Sequence, residues 1–137
     1  MPDTILGQDA PASATPAVPA TPLKDVSLDD KYTATAGKIF LSGIQALVRL
    51  PMIQKIRDEQ AGLNTGGFVS GYRGSPLGGL DENLWKAKGH LEAKHIQFVP
   101  GVNEDLAATA VWGTQTVDLI GPAKYDGVFA MWYAKGP

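Results

Sequence analysis

Three short apolar runs, at residues 66–72, 96–99 and 128–132, restrict this chain more than any other feature. Each is entered or left through a glycine turn, and stretches with helical spacing lie between them. Ile96, Phe98 and Val99 have strand character, and Pro100-Gly101 supplies the turn after them. The order helix, strand, helix, strand, helix, strand predicts an α/β fold with a parallel sheet flanked by helices.

The first helical stretch is expected from Ile39, Phe40, Ile44, Leu47 and Val48, which make residues 42–49 one amphipathic segment facing a core. Pro51 removes a backbone donor and disfavours helix at Leu50, so a kink or a fresh start is expected there, with a stop at Gly62 in a left-handed cap. Ahead of this helix, residues 32–37 are expected to lie extended over the surface. Leu77, Leu80, Leu84 and Trp85 give the next helix its apolar face, and residues 86–94 its charged exit. Trp112, Trp132 and Tyr133 are read as core packing, the commoner use of such aromatics.

Two turns carry the candidate chemistry. Residues 71–79 hold four glycines and a proline around Arg73 and Ser75, at the end of a strand. This is neither common phosphate loop, since no glycine-lysine-serine/threonine ending follows and the glycine spacing is wrong for a dinucleotide fingerprint. A tight turn whose glycines only solve backbone geometry is the plain alternative. In the second turn Asn103 is placed to cap a helix running through Leu106, Ala107, Ala110, Val111 and Thr114, with Glu104 and Asp105 in its first turn. Those acids either complement the helix dipole, at about 0.3–1 kcal/mol each, or place a carboxylate at the carboxyl end of a strand, where open α/β sheets bind ligands.

Composition removes several classes. With 12 basic and 14 acidic residues the net charge is −2, which offers no basic face to nucleic acid. No cysteine is present, which excludes disulfides and thiolate-held metals or clusters within these residues. His90 and His95 lie five apart, a spacing that matches no familiar zinc site. No apolar run approaches the roughly 18 residues of a membrane span, and the cytoplasm is the expected compartment. Residues 1–25 are rich in Ala, Pro and Thr and are expected to form a disordered arm, leaving 26–137 as the domain. The apolar run followed at once by Tyr133-Ala134-Lys135-Gly136-Pro137 leads to the expectation that a longer parallel sheet is cut short here.

Taken together, GYRGSPLGG, FVPGVNEDLAATAVWGTQ and GVFAMWYAKGP resemble the N-terminal thiamine-diphosphate (pyrimidine-binding) domain of 2-oxoacid:ferredoxin oxidoreductases, on the fused indolepyruvate branch. Short-chain members carry tyrosine-proline-glycine-threonine-proline where this chain has Tyr72-Arg73-Gly74-Ser75-Pro76; the Arg73 and Ser75 departures point to the fused branch. The resemblance implies that Asn103 and Glu104 are the family's asparagine-glutamate pair, with Glu104 bonding N1′ of the aminopyrimidine from a dry pocket in which a carboxylate holds its proton more tightly. Asp105 has no role in that scheme. Tyr72, Gly74, Pro76 and Asn103 are implied as cofactor contacts, and Ser75 or Arg73 as the holder of a substrate carboxylate. For Arg73 a surface ion pair is the alternative.

The implied activity is oxidative decarboxylation of an aryl 2-oxoacid with coenzyme A, giving acyl-CoA and reduced ferredoxin. The Mg²⁺-binding glycine-aspartate-glycine segment and the iron–sulfur ligands are missing from these residues. They are therefore expected in the remainder of the polypeptide or a partner subunit, within a homo-oligomer, and this fragment alone is expected to be inactive. Two rival readings are a non-catalytic pyrimidine-domain-like assembly or regulatory module, and a nucleotide-binding α/β domain of the acyl-CoA synthetase type.

Overall fold

A computed structural model describes residues 25–75 and 77–135. The expected arm lies outside the described residues except for Asp25, and so does Pro76. The first described element is a single helical turn, α1 (Asp30–Thr33), where extended chain was expected. Its cause is remote in sequence: Arg49 donates through Nη1 to the Lys31 carbonyl (2.8 Å) and through Nη2 to the Ala34 carbonyl, which satisfies acceptors that a short helix leaves open. Tyr32 is thereby turned into the core.

The long helix α2 (Gly43–Gln60) opens on a capping box in which Ser42 Oγ accepts from Gln45 N and Gln45 Oε1 accepts from Ser42 N. Ile39 and Phe40 precede this cap, and Phe40 is exposed. Pro51 does not restart the helix, which runs through it as one element. The lost backbone bond is offset by burial of Val48, Pro51 and Met52 on one face, at about 1.5–3 kcal/mol per large apolar side chain. The helix ends as expected, with Gly62 at φ +79°. Lys55 Nζ, buried, then donates to the Thr65 carbonyl at 2.6 Å and fixes the approach to the first strand.

The sheet has three parallel strands, β1 (Gly66–Gly71), β2 (Ile96–Phe98) and β3 (Val128–Tyr133), in the order β2-β1-β3. Between β1 and β2 lie α3 (Leu80–Lys86) and α4 (Lys88–Glu92), so the charged exit expected after Trp85 is itself a second short helix that buries Leu91. Between β2 and β3 lie α5 (Glu104–Thr114) and α6 (Val117–Ile120). The sheet steps one way from β1 to β2 and back past β1 to β3, so crossovers of one hand place these helix sets on opposite faces. The packing agrees. Val69, Ile96, Phe98, Phe129, Met131 and Tyr133 share a face with Val48, Met52, Leu80, Leu84, Ala87 and Leu91, while α5 lies against β1 and β3.

The aromatic expectation holds for one residue in three. Tyr133 is in the core, but Trp112 is 68% exposed and Trp132 48% exposed, because α5 turns buried Ala107 and half-buried Val111 and Thr114 inward and leaves Leu106 and Trp112 outward. Leu106, Leu119 and Ile120 are exposed beside them.

The centre of the sheet has no slack. A Cβ on Gly71 would lie 2.4 Å from the Tyr133 carbonyl oxygen and 2.5 Å from its ring, whereas one on Gly78 would meet nothing within 4 Å. Gly71→Ala is expected to destabilise the chain by about 1–3 kcal/mol and Gly78→Ala to stay within about 0.5 kcal/mol of the parent. Urea denaturation of the two variants side by side checks this contrast.

Candidate site at the carboxyl edge of the sheet

Adjacent strands β1 and β2 release their chains toward opposite faces, β1 toward α3 and β2 toward α5, so the turns that follow them form two lips at the carboxyl edge of the sheet. Backbone bonds lock its two lips together. Val99 N donates to the Val69 carbonyl (3.0 Å), Gly101 N to the Gly71 carbonyl (2.9 Å), and Tyr72 forms an isolated parallel bridge with Gly101. The two turns picked out in the sequence, separated by more than twenty residues of chain, therefore stand side by side.

In the second turn Asn103 is extended and its Oδ1 accepts from Leu106 N at 2.8 Å, the expected cap. Gly101 sits so close to Ala107 that a Cβ there would be 2.6 Å from the Ala107 methyl, which ties the turn to the first coil of α5. Glu104 is the first residue of that helix and is half-buried, with no hydrogen bond or ion pair to its carboxylate among the described residues. The enclosed, dry pocket expected around it is not formed by the described residues. Asp105 is exposed.

The first turn is held from within. Ser75 N donates to the Tyr72 carbonyl (2.9 Å), and Ser75 Oγ, buried, accepts from Leu77 N (3.3 Å). Gly74 lies against the Tyr72 ring. Arg73 is 85% exposed and places Nε 3.2 Å from Oδ2 of Asp81, a residue of α3 that is nearly buried. The ion-pair alternative for Arg73 is thus the geometry found.

Three polar residues at this edge have no site role in the sequence reading. Asp81 is one, and Ser70 and Tyr133 are the others: Ser70 Oγ and the Tyr133 hydroxyl are buried with no hydrogen-bond partner among the described residues. They lie on opposite faces of the sheet, since Tyr133 pairs with Gly71 and Ser70 with Trp132. A serine inside an apolar strand run is the one signal the sequence offers for them. Burial pushes the Tyr133 phenol up to about 12, with the Asp81 charge as the second cause.

Cavities lie elsewhere: about 390 Å³ between the α1 turn and residues 38–45, and about 260 Å³ between α2 and β3. Clefts of about 330 and 230 Å³ open at the amino edge of the sheet, around Tyr125 and Val128, opposite the edge at which such sheets bind ligands. Among the described residues no group of three or more His, Cys, Asp or Glu side chains is placed to hold a metal, and no helix is long and apolar enough to cross a membrane. Comparison with protein-family models, with curated proteins and with solved structures yields no match.

The raised phenol carries a pH signature. Below pH 10 the proton is held in both the folded and the unfolded chain; between about 10 and about 12 only folded Tyr133 keeps it, so the stability it contributes is lost across that window as pH rises. Tyr32, also raised by burial first and by Asp29 second, adds to the same loss. Tyr133→Phe is expected to be no less stable than the parent at pH 7, since it deletes an unpaired hydroxyl, and to lose less stability between pH 10 and 11. Urea midpoints across that range measure both effects.

Proposed function

We propose that this chain supplies the aminopyrimidine side of a thiamine-diphosphate site in a 2-oxoacid:ferredoxin oxidoreductase of the indolepyruvate type. The reading rests on one observation above the sequence motifs: the Tyr72–Gly101 bridge joins the GYRGSP turn and the Asn103-Glu104 turn at one edge of the sheet, with a half-buried, unpartnered carboxylate at its lip. That carboxylate fits the group. A protonatable ring nitrogen needs a single acid held on rigid backbone, and Glu104 is fixed by a capped helix start on one side and by the Gly101–Ala107 contact on the other.

When bound, thiamine diphosphate supplies the nucleophilic carbon and the electron sink for decarboxylation. Glu104 supplies an oxygen that shares a proton with the ring nitrogen. Asn103 acts through position, since its side chain is committed to the cap. Ser75 retains a hydroxyl proton to give after accepting from Leu77 N, so it remains a donor for a substrate carboxylate.

The Mg²⁺–diphosphate clamp, the coenzyme A site and the clusters that reduce ferredoxin fall to other protein, because these 137 residues hold neither a cysteine nor a glycine-aspartate-glycine segment. In the assembled enzyme Glu104→Gln is expected to slow decarboxylation by about 10²–10⁴-fold and to slow exchange of the thiazolium C2 proton in parallel. Exchange measured by proton NMR at the parent rate would remove the role assigned to Glu104.

A further inference from the structure

We propose that the outer edge of β3 is a self-association surface, at which two copies of this chain join their sheets antiparallel about a twofold axis at Ala130. In the order β2-β1-β3 the third strand is an edge strand. Gly66 N donates to the Gly127 carbonyl and the register runs on to Tyr133, so the backbone groups of residues 127, 129, 131 and 133 face β1. Alternation turns those of Val128, Ala130 and Trp132 outward. Gln115 Nε2 agrees with this, reaching the Val128 carbonyl from outside at 3.0 Å. The Ala130 and Trp132 backbone groups have no partner among the described residues. Natural sheets blunt such an edge with charge, proline or a bulge. Val128 to Tyr133 carries neither charge nor proline, and its register against β1 is unbroken.

The flanks of the edge make it a slot. Trp112 lies three residues before Gln115, hence on the flank of α5 that overhangs the outer side of β3, and it is exposed there. Trp132, half-exposed, projects on the same face of the sheet, opposite to the face that carries Tyr133. On the Tyr133 face the cavity of about 260 Å³ between α2 and β3 is lined by Leu50, Pro51, Gln54 and Met131. A strand entering this slot must be uncharged and apolar on both faces, which describes β3 itself.

Charge selects the direction. Parallel pairing would set Asp126 beside Asp126 and Lys135 beside Lys135, whereas antiparallel pairing brings the Asp126 end of each strand to the Lys135 end of the other. About Ala130, Val128 of each copy falls across from Trp132 of the other, a β-branched and aromatic pair, and the small Ala130 sits on the axis. A stable dimer buries roughly 800 Å² per partner; Leu50, 57% exposed, and the two tryptophans add apolar area beside the backbone pairing. The contact uses the same edge of both copies and closes at two. It sends the carboxyl edges of the two sheets to opposite ends, so it does not rest on the function proposed above.

Sedimentation velocity of the 137-residue chain is expected to show a monomer–dimer equilibrium between about 1 and about 100 µM. The chain has no cysteine, so Ala130→Cys introduces a single thiol. Hydrogen-bonded antiparallel residues lie about 5.5 Å apart at Cα, within disulfide reach. Mild oxidation is expected to give a covalent dimer of this variant at least about tenfold faster than of Leu28→Cys, an exposed position remote from β3. Ala130→Pro removes an outward N–H that bonds nothing within the fold, and is expected to raise the dimer Kd at least about tenfold. Should it lose its circular-dichroism spectrum, Ala130→Lys, which sets like charges on the axis, takes its place with the same expectation. A parent that stays monomeric over that range, or Ala130→Cys that oxidises no faster than Leu28→Cys, overturns the interface. Parent-like association of the proline or lysine variant overturns the backbone pairing, and species that grow beyond the dimer overturn the twofold arrangement.

Discussion

The structure depends on how closely the backbone of β1 is approached from both sides. A Cβ at Gly67 would fall 2.7 Å from the Phe129 ring and 2.8 Å from Ile96, and one at Gly71 would strike the Tyr133 backbone. Between these two glycines, Val69 fills the space under α2 and α3. The strand can therefore sit at the centre of the sheet only because its ends have no side chains. The consequence is positional: with Gly71 pressed against β3, its carbonyl receives Gly101 N on the β2 side, and the two candidate turns are set relative to each other by backbone alone. Side chains at these turns then inherit a rigid base, which is the condition for any of them to act by geometry.

The range of each interaction decides whether it was legible in the sequence. The strands and the Asn103 cap were readable because their signals are local, an apolar run with a turn residue or an acceptor three positions before an amide. The parallel arrangement came from element order. Interactions between distant segments were not readable. The α1 turn needs Arg49, at least fifteen residues away, to take its carbonyls, and Pro51 passes through α2 because a buried face outweighs a local rule. Trp112 is of a residue type that usually packs inside, and nothing in its neighbours announces that Ala107, with half-buried Ala108, Val111 and Thr114, would take the inward face of α5.

The same division applies to the site. Glu104 and Asn103 stand next to each other in sequence, and the turn carrying Arg73 and Ser75 is punctuated by glycine, so each half was visible by itself. Asp81 reads as an ordinary first-turn acid of α3, and Tyr133 as the last apolar residue of a strand. They acquire meaning only when β3 is laid beside β1 and α3 is folded back over the turn. The sequence contains no periodicity for that event.

The state of the first turn also bears on which chemistry its geometry favours. A phosphate cradle works by presenting free backbone amides to an anion. Here Ser75 N is given to the Tyr72 carbonyl, and Leu77 N to Ser75 Oγ, so two of the amides such a cradle would use are already committed within the turn. The strongest donor left outward is the guanidinium of Arg73, and a planar fork matches a carboxylate in two parallel bonds. With those amides committed, the turn has fewer backbone donors to give an anion than such a cradle uses, and its outward chemistry is that of a side chain tethered to α3.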